Sequence, residues 1–239
     1  DTEWRTALRS LLDSLPVEQQ VSQGARNLNT ALLTCYSSGY DRIRDFVSSE
    51  NAERILEDGD WHDHWRFVSD DALAVYLKDL QLELVSRNMD SDTEFADCQG
   101  SDSPNPLHLA MIQDYLALAH LTIYVISSRT GLRQADIRFL AMIRQMGLLD
   151  TLVFVVNVDL SEHESLEDLQ QGIRKIETEL EMICPHPDVF GISALYQLMH
   201  QRVDRLTPKD GDRYGHWRRD ADMVDATSTA WTRFRRFLD

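Results

Sequence analysis

The chain has 239 residues and a formal net charge of −16, with 43% hydrophobic and 27% charged residues. That length holds one large domain or two small ones with a sizeable core. The acidic balance argues against nucleic acid as a partner, because phosphate backbones need a basic surface, and against docking most of the surface on anionic lipid.

No apolar run approaches the roughly 20 residues that span a bilayer. Asp1-Thr2-Glu3 has neither the basic start nor the apolar stretch of a signal peptide, and the chain does not begin with Met, so an excised or truncated piece of a cytoplasmic protein is expected. Cys35, Cys98 and Cys184 are odd in number and far apart, which reads as reduced thiols. Arg218, Arg219, Arg233, Arg235 and Arg236 give the C-terminal stretch a basic face, read as solvated.

Residues 1–80 read as a helical segment. Trp4, Leu8, Leu11, Leu12 and Leu15 recur at helical spacing until Pro16. Arg42 to Leu56 and Asp71 to Leu80 carry similar patterns, the second opened by cap chemistry in Ser69-Asp70-Asp71, with a turn at Glu57-Asp-Gly-Asp60 between them. His62-Asp-His64, flanked by Trp61 and Trp65, has metal-ligand residue types but no third ligand at metal spacing, and reads as a polar turn anchored by aromatics.

The period changes at residue 81. Leu82, Leu84 and Ser86 alternate with Glu83, Val85 and Arg87, and Thr93 to Ala96 follows a turn, so the two segments are expected to pair as an antiparallel hairpin. Helices are expected over 107–119, 133–146 (closed by Gly147), 166–183 and 194–203. Apolar strands are expected over 121–127, 152–158 and 189–192. Continuous apolar strands separated by helices predict an α/β fold, a mostly parallel sheet with helices on both faces. The α/β core is placed at 81–206. Thr207 to Asp212 is expected to be a linker, and 218–238 a last helix within a C-terminal segment 207–239.

Candidate chemistry sits at expected strand ends. Of three Asp-x-x-Gly matches, at Asp97, Asp188 and Asp212, only Asp97 to Gly100 ends an expected strand and opens a loop before a helix. A carboxylate there can hold a Mg2+-bound water, and a glycine amide can approach a phosphate. Asn157-Val-Asp159 closes the 152–158 strand, and Ser193-Ala194 follows the 189–192 strand. Open α/β sheets bind ligands at this edge.

On these runs, and on Ile126-Ser-Ser-Arg-Thr-Gly-Leu-Arg-Gln-Ala-Asp136 and Asn157-Val-Asp-Leu-Ser-Glu-His-Glu164, the chain resembles the G domain of dynamin-like GTPases, particularly large bacterial members, over roughly residues 65–205. The resemblance implies a P-loop NTPase-like fold. It assigns Asp97 to the metal, Asp97 and Gly100 to the hydrolytic centre, and Gln99, Asn157, Asp159, Ser193 and Ala194 to the nucleotide. GTP and Mg2+ are the implied ligands, with self-assembly through helices and peripheral membrane association implied for an intact relative. Two departures stand against it. Asn-Val-Asp is one residue shorter than the family's base-reading motif and lacks its Lys. No GxxxxGK[ST] occurs anywhere in the chain. Either that loop lay upstream of Asp1, or Ala31 to Ile43 is its decayed remnant, with Tyr40 in place of the Lys. Leu28, Leu32 and Tyr36 also fit a helix face there. A nucleotide-independent interaction module, a pseudo-GTPase, is the rival expectation.

Overall fold

Three apolar runs spaced by amphipathic segments become three parallel strands in a computed structural model of the chain. The structure describes residues 6, 7, 10, 24–45, 63–83, 93–98 and 106–238. The chain divides into two compact units between Ala96 and Asp97.

In the first unit, α1 (Gly24–Ile43), α2 (Asp63–Ser69) and α3 (Asp71–Ala74) form a small helical cluster. Asp70 caps α3 by accepting from the Ala72 amide at 3.0 Å, and pairs with Arg42 of α1 at 2.6 Å. Tyr76 meets Tyr36 edge-to-face at 5.1 Å between ring centroids. The helix expected to run from Asp71 to Leu80 stops at Ala74: i→i+3 bonds to Leu73 and Ala74 tighten the chain, and the Asp79 carboxylate then takes the Leu80 amide at 2.8 Å. Ala31 to Ile43 lies wholly inside α1, so it cannot supply the strand-and-loop outline of a phosphate cradle. Thr6, Ala7 and Ser10 are helical. The rest of the first expected helix, and residues 46–56 of the second, lie outside the described residues.

The second unit holds α4 (Pro106–Leu118), β1 (Thr122–Ser127), α5 (Gln134–Gln145), β2 (Leu152–Asn157), α6 (Leu166–Glu181), β3 (Val189–Ile192), α7 (Ala194–Gln201), α8 (Pro208–Trp217) and α9 (Ala221–Leu238). The strands pair in the order β1-β2-β3, all parallel, with Tyr124 opposite Phe154 and Val155 opposite Phe190. Right-handed crossovers in a sheet that advances in one direction carry α5 and α6 to the same face. There Tyr124, Ile126, Leu152, Phe154 and Val156 pack with Ile112 and Leu116 of α4, Leu140 and Ile143 of α5, and Leu169, Ile176 and Leu180 of α6. On the opposite face Val153, Val155, Phe190 and Ile192 pack against Phe234, Trp231 and Ala230 of α9. β2 is therefore covered on both sides, and burying each of its Val and Phe side chains contributes about 1.5–3 kcal/mol. Val125 of β1, on the α9 side, stays 61% exposed, because α9 packs over β3.

The helix boundaries have local causes. Gly147, at φ 75°, takes the left-handed position that closes α5. Ser165 caps α6 by accepting from the Asp168 amide at 3.2 Å. Thr207 caps α8 with Pro208 in the first turn, so the expected linker over 207–212 is the start of a helix. Tyr214 and Trp217, three residues apart on α8, are both buried in the main core. No described helix is long and apolar enough to cross a membrane.

The expected hairpin over 82–87 and 93–97 is not found. Residues 79–83 and 93–98 have no regular secondary structure, and residues 84–87 lie outside the described residues. Phe95 is 67% exposed and sits among Glu94, Ala96 and Asp97. One large apolar side chain in five offers too little burial to hold a strand without a ladder partner.

Candidate functional site

Each strand of the sheet ends at the same edge, and the loops that leave it carry polar side chains. β1 leads into Ser127-Ser128, β2 into Asn157-Val158-Asp159, and β3 into Ser193-Ala194. Backbone bonds hold these loops in register: the Ser128 amide donates to the Asn157 carbonyl at 3.0 Å, and the Val158 amide to the Ile192 carbonyl at 2.8 Å. The Asn157 side-chain oxygen accepts from the Ala194 amide at 3.4 Å, which ties the second loop to the third.

Asp159 opens a single 3₁₀ turn, Leu160–Glu162, and caps it by accepting from the Ser161 amide at 3.0 Å. Arg213 of α8 places one guanidinium nitrogen, Nη2, against both of its carboxylate oxygens, at 3.1 and 2.9 Å. The guanidinium carbon sits 4.5 Å from the centroid of the Trp217 ring, and the indole N–H of Trp217 donates to the Ser161 hydroxyl at 2.9 Å. Burial pulls the Asp159 pKa up, but the Ser161 amide and the Arg213 guanidinium together outweigh it and hold the carboxyl below its ordinary value.

A second chain of polar contacts braces the first loop against the second. His163 Nδ1 lies 3.2 Å from Asp168 Oδ2, and His163 Nε2 lies 3.4 Å from Ser128 Oγ. With Nδ1–H donated to the carboxylate, a neutral ring has Nε2 free to accept the Ser128 hydroxyl. The order hydroxyl, imidazole, carboxylate is that of a hydrolase relay. The hydroxyl contact is well beyond the usual ~2.8 Å for such a bond. Asp168 is half exposed and also receives the Glu164 amide. The arrangement works as a brace.

Ser193 is fully buried, and its hydroxyl has no hydrogen-bond partner among the described residues. Of the expected site residues, Asn157, Asp159, Ser193 and Ala194 are brought to one edge of the sheet. Asp97 is exposed and ends no strand. Gln99 and Gly100 lie outside the described residues. No group of three His, Cys, Asp or Glu side chains able to hold a metal gathers among the described residues, Asp97 included. His64 is buried in α2 with its ring 5.8 Å from that of Trp65, an aromatic contact inside the helical cluster.

Sequence reasoning missed Arg213 and Trp217, which fall between the expected linker and the expected last helix. A signal was present. Thr207-Pro208 is a cap followed by proline in the first turn, and Tyr214 and Trp217 recur at helical spacing behind it. No protein-family model, no curated protein and no solved structure matches the chain.

Proposed function

We propose that the second unit is the base-recognition half of a dynamin-like GTPase module with a P-loop NTPase-like sheet. Asp159 faces a guanine base, with Asn157 and Ala194 beside it and the buried Ser193 behind them holding the third loop. The observation that carries this reading is the Asn157–Ala194 hydrogen bond, which joins the loops leaving two neighbouring parallel strands beside the Asp159 carboxylate. A carboxylate accepts the two adjacent N–H donors on guanine's edge, and the Ala194 amide, donated to Asn157 at 3.4 Å in the unliganded chain, would turn from it to the guanine carbonyl oxygen. In an intact relative, GTP with Mg2+ would bind across this edge and a GxxxxGK[ST] loop, a motif that does not occur in this sequence. Hydrolysis would be phosphoryl transfer to water, with Asp97, Gln99 and Gly100 on the phosphate side. Self-assembly and peripheral membrane association belong to that intact form.

A second reading, an interaction module without nucleotide, is favoured by one observation: Asp159 is already engaged by Arg213. Guanosine separates the two, because a nucleoside needs no phosphate cradle. Titration of the isotope-labelled chain should move the amide signals of Ser161 and Ala194 with guanosine and leave them unmoved with adenosine. If neither the wild-type chain nor a folded variant with Asp159 released from Arg213 responds to guanosine, the base-recognition reading falls.

A further inference from the structure

Arg213 is not a loosely held surface arginine. Its helix is capped by Thr207, which accepts from the Asp210 amide at 3.2 Å. One turn on, Tyr214 bonds His200 of α7 at 2.7 Å and stacks on Tyr196 at 5.3 Å. Trp217, 1% exposed, is fixed by its bond to Ser161 and supplies the flat surface on which the guanidinium rests. Four residues of Asp159's own turn and of α8 thus form one unit: Asp159, Ser161, Arg213 and Trp217. Much of the ordering cost that weakens an exposed ion pair is met by this packing.

The chemistry of the occupant is specific. A guanidinium is a planar array of N–H donors around one carbon, as guanine is along N1, C2 and its amino group, although Arg213 reaches both Asp159 oxygens through Nη2 alone. Adenine has an amino donor next to a ring acceptor and offers no pair of adjacent donors. We propose that Arg213 is a built-in occupant of the base-recognition carboxylate. It fills both oxygens of Asp159 in the unliganded chain, and a guanine base must displace it to bind. This rests on the reading of Asp159 as a base-facing residue. The pair is open enough to be displaced, with the Arg213 and Asp159 side chains 39% and 41% exposed. α8 then reports on the site: when Arg213 leaves, the cation that covers Trp217 leaves with it.

The test is a guanosine and adenosine titration of the full chain by nuclear magnetic resonance, in wild type, Arg213→Ala, Arg213→Lys and Arg213→Ala/Asp159→Asn. Each variant is first checked for folding by thermal melting. Removing a half-exposed, pre-positioned competitor should tighten guanosine binding by roughly two- to fivefold in Arg213→Ala. Arg213→Lys keeps the charge without the planar array and should gain less. Adenosine should be unaffected, and the double variant should lose the response. If wild type and Arg213→Ala bind guanosine equally, and Arg213→Ala/Asp159→Asn abolishes it, the occupant role is overturned while the base site stands. If no folded variant binds guanosine, the base site is overturned and the occupant role with it. Should Arg213→Ala fail to fold, Arg213→Lys decides by the same comparison.

Discussion

The Tyr124 hydroxyl donates to the Asp136 carboxylate at 2.8 Å, joining the middle of β1 to the first turn of α5. Asp136 is 5% exposed, and it also accepts from the Arg133 amide at 2.8 Å and from the Arg133 guanidinium at 3.1 and 3.3 Å. A buried carboxylate with that many donors is satisfied, and each donor lost leaves part of its charge unpaired. Tyr124→Phe removes one donor and keeps the ring that stacks on Phe139 at 5.8 Å. Denaturant unfolding should show a loss of about 1.5–3 kcal/mol, the range for a hydrogen bond to a charged group. A loss under about 0.5 kcal/mol would mean that the carboxylate finds another donor.

Stability should fall on acidification, and Asp136 should dominate the fall. Burial raises its pKa, but bonds from the Arg133 side chain and amide and from Tyr124 more than reverse this, leaving it lowered. Asp159 is lowered too, but it is more exposed and more screened. A carboxyl whose folded pKa lies below its unfolded value of about 3.9 stabilises the fold fully above that value. The contribution is lost as pH drops through the folded pKa. Melting temperature should therefore change little from neutrality to about pH 5 on account of these groups, then fall. Asp136→Asn should start lower and show a shallower fall below about pH 4. An equal acid slope in wild type and variant would remove Asp136 from this role.

The sheet was legible in the sequence because Tyr124 to Ile126, Val153 to Val156 and Phe190 to Ile192 are short apolar runs bounded by helical periodicity, a signature that burial on both faces leaves in β2 and that β1 shares although Val125 stays exposed. The expected spans 121–127, 152–158 and 189–192 match β1, β2 and β3 to within a residue. The hairpin over 82–97 failed because alternation alone cannot say whether a partner strand exists, and Phe95 finds no cover. At the sheet edge, strand ends place Asn157, Asp159 and Ser193 by geometry, so their proximity followed from the parallel order. Arg213 could not be placed the same way. Its distance from Asp159 depends on how α8 folds back, which is set by Tyr214 and Trp217 entering the core.

Gly191 of β3 faces α6, and a Cβ added there would lie 2.3 Å from Ile173 Cδ1 and 3.3 Å from Cγ1. The clash is with the far end of a flexible side chain, so it is relieved by a rotamer change or by trimming that chain. Gly191→Ala should cost about 1–3 kcal/mol as overpacking. Ile173→Val deletes Cδ1 and should cost about 0.5–1.5 kcal/mol alone. The double variant should be more stable than the sum of the two losses predicts, and chemical denaturation of the four proteins measures that coupling. Strict additivity would show that β3 and α6 separate to admit the new methyl.

Two serines at the site edge should respond in opposite directions. The Ser193 hydroxyl is buried with no partner among the described residues, so Ser193→Ala removes a desolvated polar group and should leave the melting temperature unchanged or raise it. The Ser161 hydroxyl accepts from the Trp217 indole, whose ring is 1% exposed. Ser161→Ala strands that buried N–H and should cost about 1–3 kcal/mol. Destabilisation by Ser193→Ala comparable with that of Ser161→Ala would reveal a hydrogen bond at Ser193 that the static structure lacks.

The chain as it stands should bind GTP weakly or not at all, and should not turn it over. Phosphate contacts supply a large share of nucleotide affinity, through backbone amides at a helix start and a Lys that neutralises the β- and γ-phosphates. No GxxxxGK[ST] is present, and Ala31 to Ile43, the segment with the nearest outline, is part of α1. The edge that would face the nucleotide is also acidic: Glu162 and Glu164 are exposed on the loop that follows Asp159. At a net charge of −16, a triphosphate meets repulsion unless Mg2+ accompanies it. Arg129 offers some relief, but it already lies 3.8 Å from Glu162. Calorimetry with GTP and Mg2+ should show no binding in the low micromolar range, and a phosphate-release assay should stay at background. Tight binding with steady turnover abolished by Asp97→Ala would show that this chain builds a phosphate site from residues other than a GxxxxGK[ST] loop.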